Sequence, residues 1–206
     1  MLTFYITRHG ETEWNVQIRM QGWGDSALTE NGIRNAILLG KRLEGVDFHA
    51  IYSSTSKRTQ ATSELIRGNR DIPIFFDEKL REIHMGDWEG KTRFFLEEHD
   101  AENFHAFWNT PHLYVPTKGE KFLELQERVL KAIDEIKQTY ESGNVLIVTH
   151  TAVIKVLLAF IKKLSIENVW DPPYIHDTSL TLIEFDGDEG MVVLEGDVSH
   201  WGKSND

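Results

Sequence analysis

Arg8, His9 and Gly10 follow directly on the apolar run from Leu2 to Thr7, and Glu11 and Thr12 come next. An imidazole can accept a phosphoryl group, and a guanidinium fork suits the oxygens of that group, so the pair points to phosphate chemistry on histidine. Gly10 lets backbone approach a bound anion closely, and Glu11 and Thr12 can open a helix whose first amides face the same group. A second apolar run, Val145 to Thr149, ends in His150. Two such strands, side by side in one sheet, would bring both imidazoles to the rim where open α/β sheets bind ligands.

Lys57 and Arg58 fall in the first turn of a helix that Ser54, Thr55 or Ser56 can cap. Basic residues there oppose the helix dipole and call for a nearby anion or a compensating acid. Glu82, Asp87 and Glu89 lie in a stretch without a clean period, 80–90, and spacing does not choose among these acids. Taken singly, each residue has a plainer role, a salt-bridging arginine or a hydrogen-bonded histidine. A metal site is disfavoured, because no closely spaced His, Glu or Asp companions attend His9 and His150 and Arg8 would repel a cation. No metal and no cofactor are expected.

The elements that must position these residues alternate along the chain. Strands are expected over 2–7, 49–53, 72–76, 145–149, 179–185 and 191–195, the last two joined by the hairpin signal Asp186-Gly187-Asp188-Glu189-Gly190. Thr29 is placed to cap a helix whose buried face would run through Ile33, Ala36, Ile37, Gly40 and Leu43. Further helices are expected to about 67, from 91 to about 110, from Phe122 through Ile136, and from Thr151 to about Lys163. The pattern predicts an α/β fold, a mainly parallel central sheet with helices on both faces and a small helical insertion over the active-site rim. Residues 1–206 are expected to form a single domain, with the aromatic segment 91–119 as a cap-like insertion. Within it Phe94, Phe104, Phe107 and Trp108 are more readily core than ligand contacts.

The chain has 206 residues, a formal net charge of -11, 40% hydrophobic and 27% charged residues. An acidic balance argues against a nucleic-acid partner, so any phosphate site must be locally basic. The absence of cysteine excludes disulfides, thiolate metal ligands and a cysteine nucleophile. The most apolar stretch, Thr151 to Leu164, is shorter than a membrane span, so no membrane partner is expected and a cytoplasmic location is the default. No oligomeric state is implied.

Four motifs in order carry a family resemblance: Arg8-His9-Gly10-Glu11-Thr12, the Arg58 helix, Arg81-Glu82 with Gly86-Asp87-Trp88-Glu89-Gly90, and Val148-Thr149-His150. Together they resemble the histidine phosphatase superfamily, the phosphoglycerate-mutase-like proteins, over nearly the whole chain. The aromatic insertion, Pro111-His112-Leu113-Tyr114 and the closing Glu195 to His200 are most similar to its broad-specificity phosphatases. The resemblance implies that His9 is the nucleophile that becomes phosphohistidine and Glu82 the proton donor. It implies that Arg8, Arg58 and His150 hold the phosphate, and that Asn15 and Gln21 reach phosphoryl oxygens or substrate. Thr151 departs from the glycine the family usually has after the second histidine, and Ala27 from a common proline.

The implied activity is hydrolysis of small-molecule phosphate monoesters of broad specificity, hydrophobic or aromatic esters among them. The alternatives are a cofactor-dependent phosphoglycerate mutase and a non-catalytic phosphate-binding module. For such chemistry His9 must be neutral to attack, His150 is more useful protonated, and Glu82 is expected to be held protonated by the phosphate dianion.

Overall fold

The computed structural model describes residues 1–202; the last four positions of the expected domain lie outside the described residues. Six strands form one sheet: β1 (Leu2–Arg8), β2 (Phe48–Ser54), β3 (Ile74–Asp77), β4 (Gly143–Thr149), β5 (Leu180–Asp186) and β6 (Glu189–Asp197). Their order is β3-β2-β4-β1-β5-β6. The pairs β3·β2, β2·β4 and β4·β1 are parallel, and β1·β5 and β5·β6 are antiparallel. The sheet is therefore mixed, mostly parallel, with the terminal hairpin laid along one side.

Seven α-helices are described: α1 (Glu13–Val16), α2 (Glu30–Arg42), α3 (Lys57–Arg67), α4 (Arg93–His99), α5 (Ala101–Asn109), α6 (Phe122–Thr139) and α7 (Thr151–Ile161). The alternation of β4 shows how they are layered. Val145 and Ile147 enter one core with Phe122, Val129 and Ile136 of α6 and Val153 and Leu157 of α7. Leu146 and Val148 enter a second core with Ala36 and Leu39 of α2 and Ile66 of α3. A strand buried on both faces reads as a continuous apolar run, as Val145 to Val148 does.

Two expectations about buried faces need correction. In α2 the buried residues are Gly32, Asn35, Ala36, Leu39 and Gly40, whereas Ile33 and Ile37 are each 39% exposed. The face is turned because α2 packs closely against α3: a Cβ on Gly40 would lie 2.8 Å from the Ile66 carbonyl oxygen. In the aromatic segment Phe104 and Phe107 are buried, but Phe94 is 75% exposed. Phe107 centres a cluster with Trp88, Tyr114, Phe122 and Trp170, all with ring centroids within 5.7 Å of its own. The expected helix over 91–110 is broken at Asp100, whose carboxylate accepts from Trp88 Nε1 at 2.8 Å.

Candidate active site

The sheet places the two histidines side by side. Arg8 is opposite Thr149 in the parallel β1·β4 register, and the His9 amide donates to the Thr149 carbonyl at 3.0 Å. The imidazole centroids are 5.3 Å apart, and both side chains are buried. Behind them Thr178 adopts φ +50°, an uncommon value for a β-branched residue, and donates its amide to the Arg8 carbonyl at 3.1 Å.

Gly10 serves a different purpose from the one its sequence suggests. A Cβ there would lie 2.7 Å from the Gly32 carbonyl oxygen, so the close approach is to α2, and its amide donates to Thr62 Oγ1 at 3.0 Å. The amides opening α1 are likewise occupied by protein acceptors. Glu13 N donates to the Ala27 carbonyl, Trp14 N to Ser26 Oγ and Asn15 N to Thr12 Oγ1. They do not face an anion, because the turn is closed by a capping box between Thr12 and Asn15.

The state of His9 follows from one hydrogen bond. Nδ1 lies 2.8 Å from the Gly10 carbonyl oxygen, which can only accept, so Nδ1 carries the proton and Nε2 keeps its lone pair. Burial first, then the charges of Arg58 and Arg8, hold its pKa well below the ordinary value. The ring is a neutral nitrogen nucleophile in cationic surroundings.

Arg58 is buried at the start of α3. Its Nη1 donates to the Gly24 carbonyl at 2.6 Å and to Asp25 Oδ1 at 2.8 Å, and its Nη2 donates to the Gly22 carbonyl at 2.8 Å. Asp25 also accepts from Lys57 N and Arg58 N, at 2.9 and 3.4 Å. It is the compensating acid that a basic first turn requires, in place of a cap from Ser56, whose side chain makes no cap hydrogen bond.

The remaining contact of Arg58 Nη2 is to His150 Nδ1, at 3.1 Å. A guanidinium is only a donor, so Nδ1 must be unprotonated, and Nε2–H donates to Ser54 Oγ at 2.8 Å. Burial, Arg58, His9, Arg128 and Arg8 all lower its pKa, in that order. The expectation of a protonated His150 is thus corrected: positive charge here comes from guanidinium groups, and this imidazole is neutral.

Glu82 is 8% exposed and lies in the loop after β3. One carboxylate oxygen accepts from Ile83 N at 2.8 Å and the other from Ala152 N, in the first turn of α7, at 3.3 Å. Burial raises its pKa, against the opposing pull of those amides, Arg58 and Arg8. The shift is toward the protonated form, and it is present before any phosphate arrives. Thr151, where a glycine was the norm, is simply the first residue of α7 after the cap residue His150, a helical position that needs no glycine.

Arg8 donates from Nη1 to the Ile175 carbonyl at 3.1 Å. Among the described residues, Arg8 Nε, Arg58 Nε and Gln21 Oε1 are buried and meet no hydrogen-bond partner. Gln21 Nε2 donates to Thr12 Oγ1 and Ser26 Oγ, both at 2.6 Å. Asn15 is turned inward: its Oδ1 accepts from Thr12 N and Thr12 Oγ1 at 3.0 and 2.9 Å. The structure therefore gathers Arg8, His9, Arg58, Glu82 and His150, brings Gln21 alongside Thr12, and engages Asn15 in the cap. Sequence reasoning missed Asp25 and Ser54, although the unbalanced charge of Lys57 and Arg58 was a usable signal for the first.

Trp23 marks the edge of this cluster. Its Nε1 donates to the Glu82 carbonyl at 2.9 Å, its ring stacks on His84 at 4.4 Å between centroids, and Arg81 lies over it at 4.0 Å. A cavity of about 330 Å³ lies between Trp88, Phe95, His99 and Lys118 and contains none of the gathered residues. Among the described residues no group of three or more His, Asp or Glu side chains is placed to hold a metal ion.

Comparison with known proteins agrees with this geometry. Residues 4–198 match the histidine phosphatase superfamily (branch 1). The chain is similar to the adenosylcobalamin/alpha-ribazole phosphatase of Escherichia coli K12, 32% identical over 169 residues that cover 82% of this chain and 83% of that one. It is also similar to the probable phosphoglycerate mutase GpmB of Erwinia tasmaniensis, 32% identical with 97% and 95% covered. Among solved structures, Bacillus stearothermophilus YhfR superposes with a TM-score of 0.96 at 52% identity, covering 98% of this chain and 100% of that one.

Proposed function

The chain belongs to the histidine phosphatase superfamily, and from that premise we propose that it is a metal-independent phosphomonoester hydrolase of broad specificity working through a phosphohistidine on His9. The observation that carries this reading is the neutral His9, fixed with its proton on Nδ1 under the field of Arg8 and Arg58. In the first half-reaction His9 Nε2 forms a bond to phosphorus as the ester P–O bond breaks, and Glu82 gives its proton to the leaving alkoxide. In the second, the Glu82 carboxylate takes a proton from water, whose oxygen attacks phosphorus and releases phosphate and His9.

Charge developing on the phosphoryl oxygens falls to Arg8 and Arg58, whose unpartnered Nε–H groups are the free donors. His150 keeps Arg58 in place through Nδ1, and it contacts the phosphoryl group by turning its Nε2–H from Ser54 Oγ to a phosphoryl oxygen when substrate is bound. Gln21 reaches a hydroxyl of the substrate through its unpartnered acceptor Oε1, and Asn15 reaches the phosphoryl oxygens through Nδ2 while its Oδ1 stays in the cap. Two arginines around the nucleophile would repel a metal cation, which supports metal independence. Hydrolysis of p-nitrophenyl phosphate in excess chelator tests this: full turnover is expected, and a loss restored by a divalent cation would overturn it.

Residues 1–206 are read as one domain in which 91–119 forms the cap. The segment folds on itself, Asn103 exchanging hydrogen bonds with the Val115 backbone, and joins the Glu82 loop where the Glu120 amide donates to the His84 carbonyl. Preference for hydrophobic or aromatic esters rests on Trp23 at the edge of the site more than on the cap phenylalanines, which are either core or exposed. Naphthyl phosphate should be turned over faster than 3-phosphoglycerate; the reverse order would defeat the preference. Among the described residues no helix is long and apolar enough to cross a membrane, and we read the protein as cytoplasmic.

Similarity to a probable phosphoglycerate mutase over 97% of the chain favours one second reading, a cofactor-dependent mutase. Interconversion of 2- and 3-phosphoglycerate that depends on a bisphosphoglycerate would establish it. Phosphate release without that cofactor favours the hydrolase.

A further inference from the structure

Glu82 lies in a loop between two short 3-10 turns, Glu78–Leu80 and Gly86–Trp88, yet its backbone is tied down at almost every carbonyl. The agent is Arg128, on α6. Nη1 donates to the Lys79 and Arg81 carbonyls, each at 2.8 Å, and Nη2 donates to the Glu82 carbonyl at 2.9 Å. Nε and the second Nη2 hydrogen go to the two carboxylate oxygens of Glu120, at 2.6 and 2.7 Å. All five N–H groups of the guanidinium are thereby used. Glu120 closes the other side of the loop: its Oε2 accepts from His84 N at 3.2 Å and its amide donates to the His84 carbonyl at 2.9 Å.

This arrangement is more than a surface ion pair. Three of the five donors go to consecutive or near-consecutive carbonyls of the segment that carries Glu82, which only a planar fork can reach from one point. The Glu82 carboxyl itself is held by just two amides, Ile83 N and Ala152 N. The position of the carboxyl therefore depends on where the 79–82 backbone sits. We propose that Arg128, locked by Glu120, is the positioning residue that sets the Glu82 carboxyl at the distance needed to protonate the leaving group. The inference rests on the assignment of Glu82 as the acid made above.

Such a residue acts on the chemistry only through Glu82, which separates it from a purely structural one. An aryl leaving group such as p-nitrophenolate needs little protonation and an alkyl one needs much. Arg128→Met, Arg128→Lys, Glu82→Gln and the Arg128→Met/Glu82→Gln double variant are compared by kcat/KM, which reads the transfer to His9 and not the dephosphorylation common to both esters, on p-nitrophenyl phosphate and on glycerol 2-phosphate. Glu82→Gln should raise the aryl-to-alkyl ratio. Arg128→Met should raise it by about tenfold, a fraction of the ~10²–10⁴ that a positioned acid supplies, and should add little further in the Glu82→Gln background. Arg128→Lys keeps the charge that bears on His150 but not the fork, and should also raise the ratio.

Equal loss on both esters in Arg128→Met, with the ratio still raised in Glu82→Gln, would overturn the inference alone. So would wild-type behaviour of Arg128→Lys, which would assign Arg128 a role through charge. An unchanged ratio in Glu82→Gln would remove the acid assignment itself, and this inference with it. Should Arg128→Met fail to fold, Glu120→Gln unlocks the same guanidinium, and the same rise is expected; an unchanged ratio there would overturn the proposal.

Discussion

Arg58 Nη2 donates to His150 Nδ1 at 3.1 Å, so the two residues share a hydrogen bond that exists only while the imidazole is neutral. The guanidinium is in turn oriented by Asp25 and two backbone carbonyls. Arg58→Ala removes both the donor and the charge that depresses the His150 pKa. Its imidazole should titrate closer to the ordinary 6.5 by NMR, and kcat/KM should fall by about 10²–10³, as for loss of one preorganised charge stabiliser. Asp25→Asn, which leaves the guanidinium in place but loosely held, should show a smaller fall.

The pH dependence of turnover follows from two displaced groups. His9 is neutral until the pH drops well below 6.5, because burial and two arginines lower its pKa. Glu82 keeps its proton above the ordinary 4.5, because burial raises its pKa. Turnover of an alkyl ester should therefore fall on the alkaline side as Glu82 ionises, with that limb moved above 4.5, and fall on the acid side as His9 gains a proton, with that limb moved below 6.5. In Glu82→Gln the alkaline limb should disappear from the alkyl-ester profile; its persistence at the same pH would assign that limb to another group.

Stability should also respond to acid with a definite sign. His9 and His150 both have folded-state pKa values below 6.5, so between the folded and unfolded values the unfolded chain binds more protons. Their contribution is complete above pH 6.5 and is lost as pH falls through that window, at about 1.4 kcal/mol per pH unit for each proton. Glu82 has the opposite sign, losing stability as pH rises above 4.5 toward its raised value. Two histidines outweigh one carboxyl, so the melting temperature should drop between about pH 7 and pH 5. His9→Gln, neutral throughout, should lessen that slope; an unaltered slope would mean His9 does not titrate as a buried group.

Much of the framework was legible because it rests on periodicity. Val145 to Val148 reads as a strand buried on both faces, and Arg8 and Thr149 share a register because their strands are parallel neighbours. The convergence of His9 and His150 followed from that alone. What escaped was set by contacts between segments distant in sequence. The glycine at 10 is required by Gly32, the acid that steadies Arg58 comes from Asp25 across 33 residues, and the α2 face is turned by Ile66. Protonation states escaped for the same reason: His150 is neutral because Arg58 and Ser54 flank it. Arg128, on the edge of the apolar stripe of Leu125, Val129 and Ala132, left a faint trace as a charge beside a buried face.

The phosphoryl group on His9 is the claim on which the rest depends. Rapid quenching of the enzyme with a ³²P-labelled phosphate monoester, followed by base-stable, acid-labile recovery of the label and peptide mapping, reads it directly. The account predicts label on the peptide containing His9, none in His9→Ala, and label that accumulates when the second half-reaction is slowed in Glu82→Gln. Turnover without any protein-bound label, or label retained in His9→Ala, would contradict it.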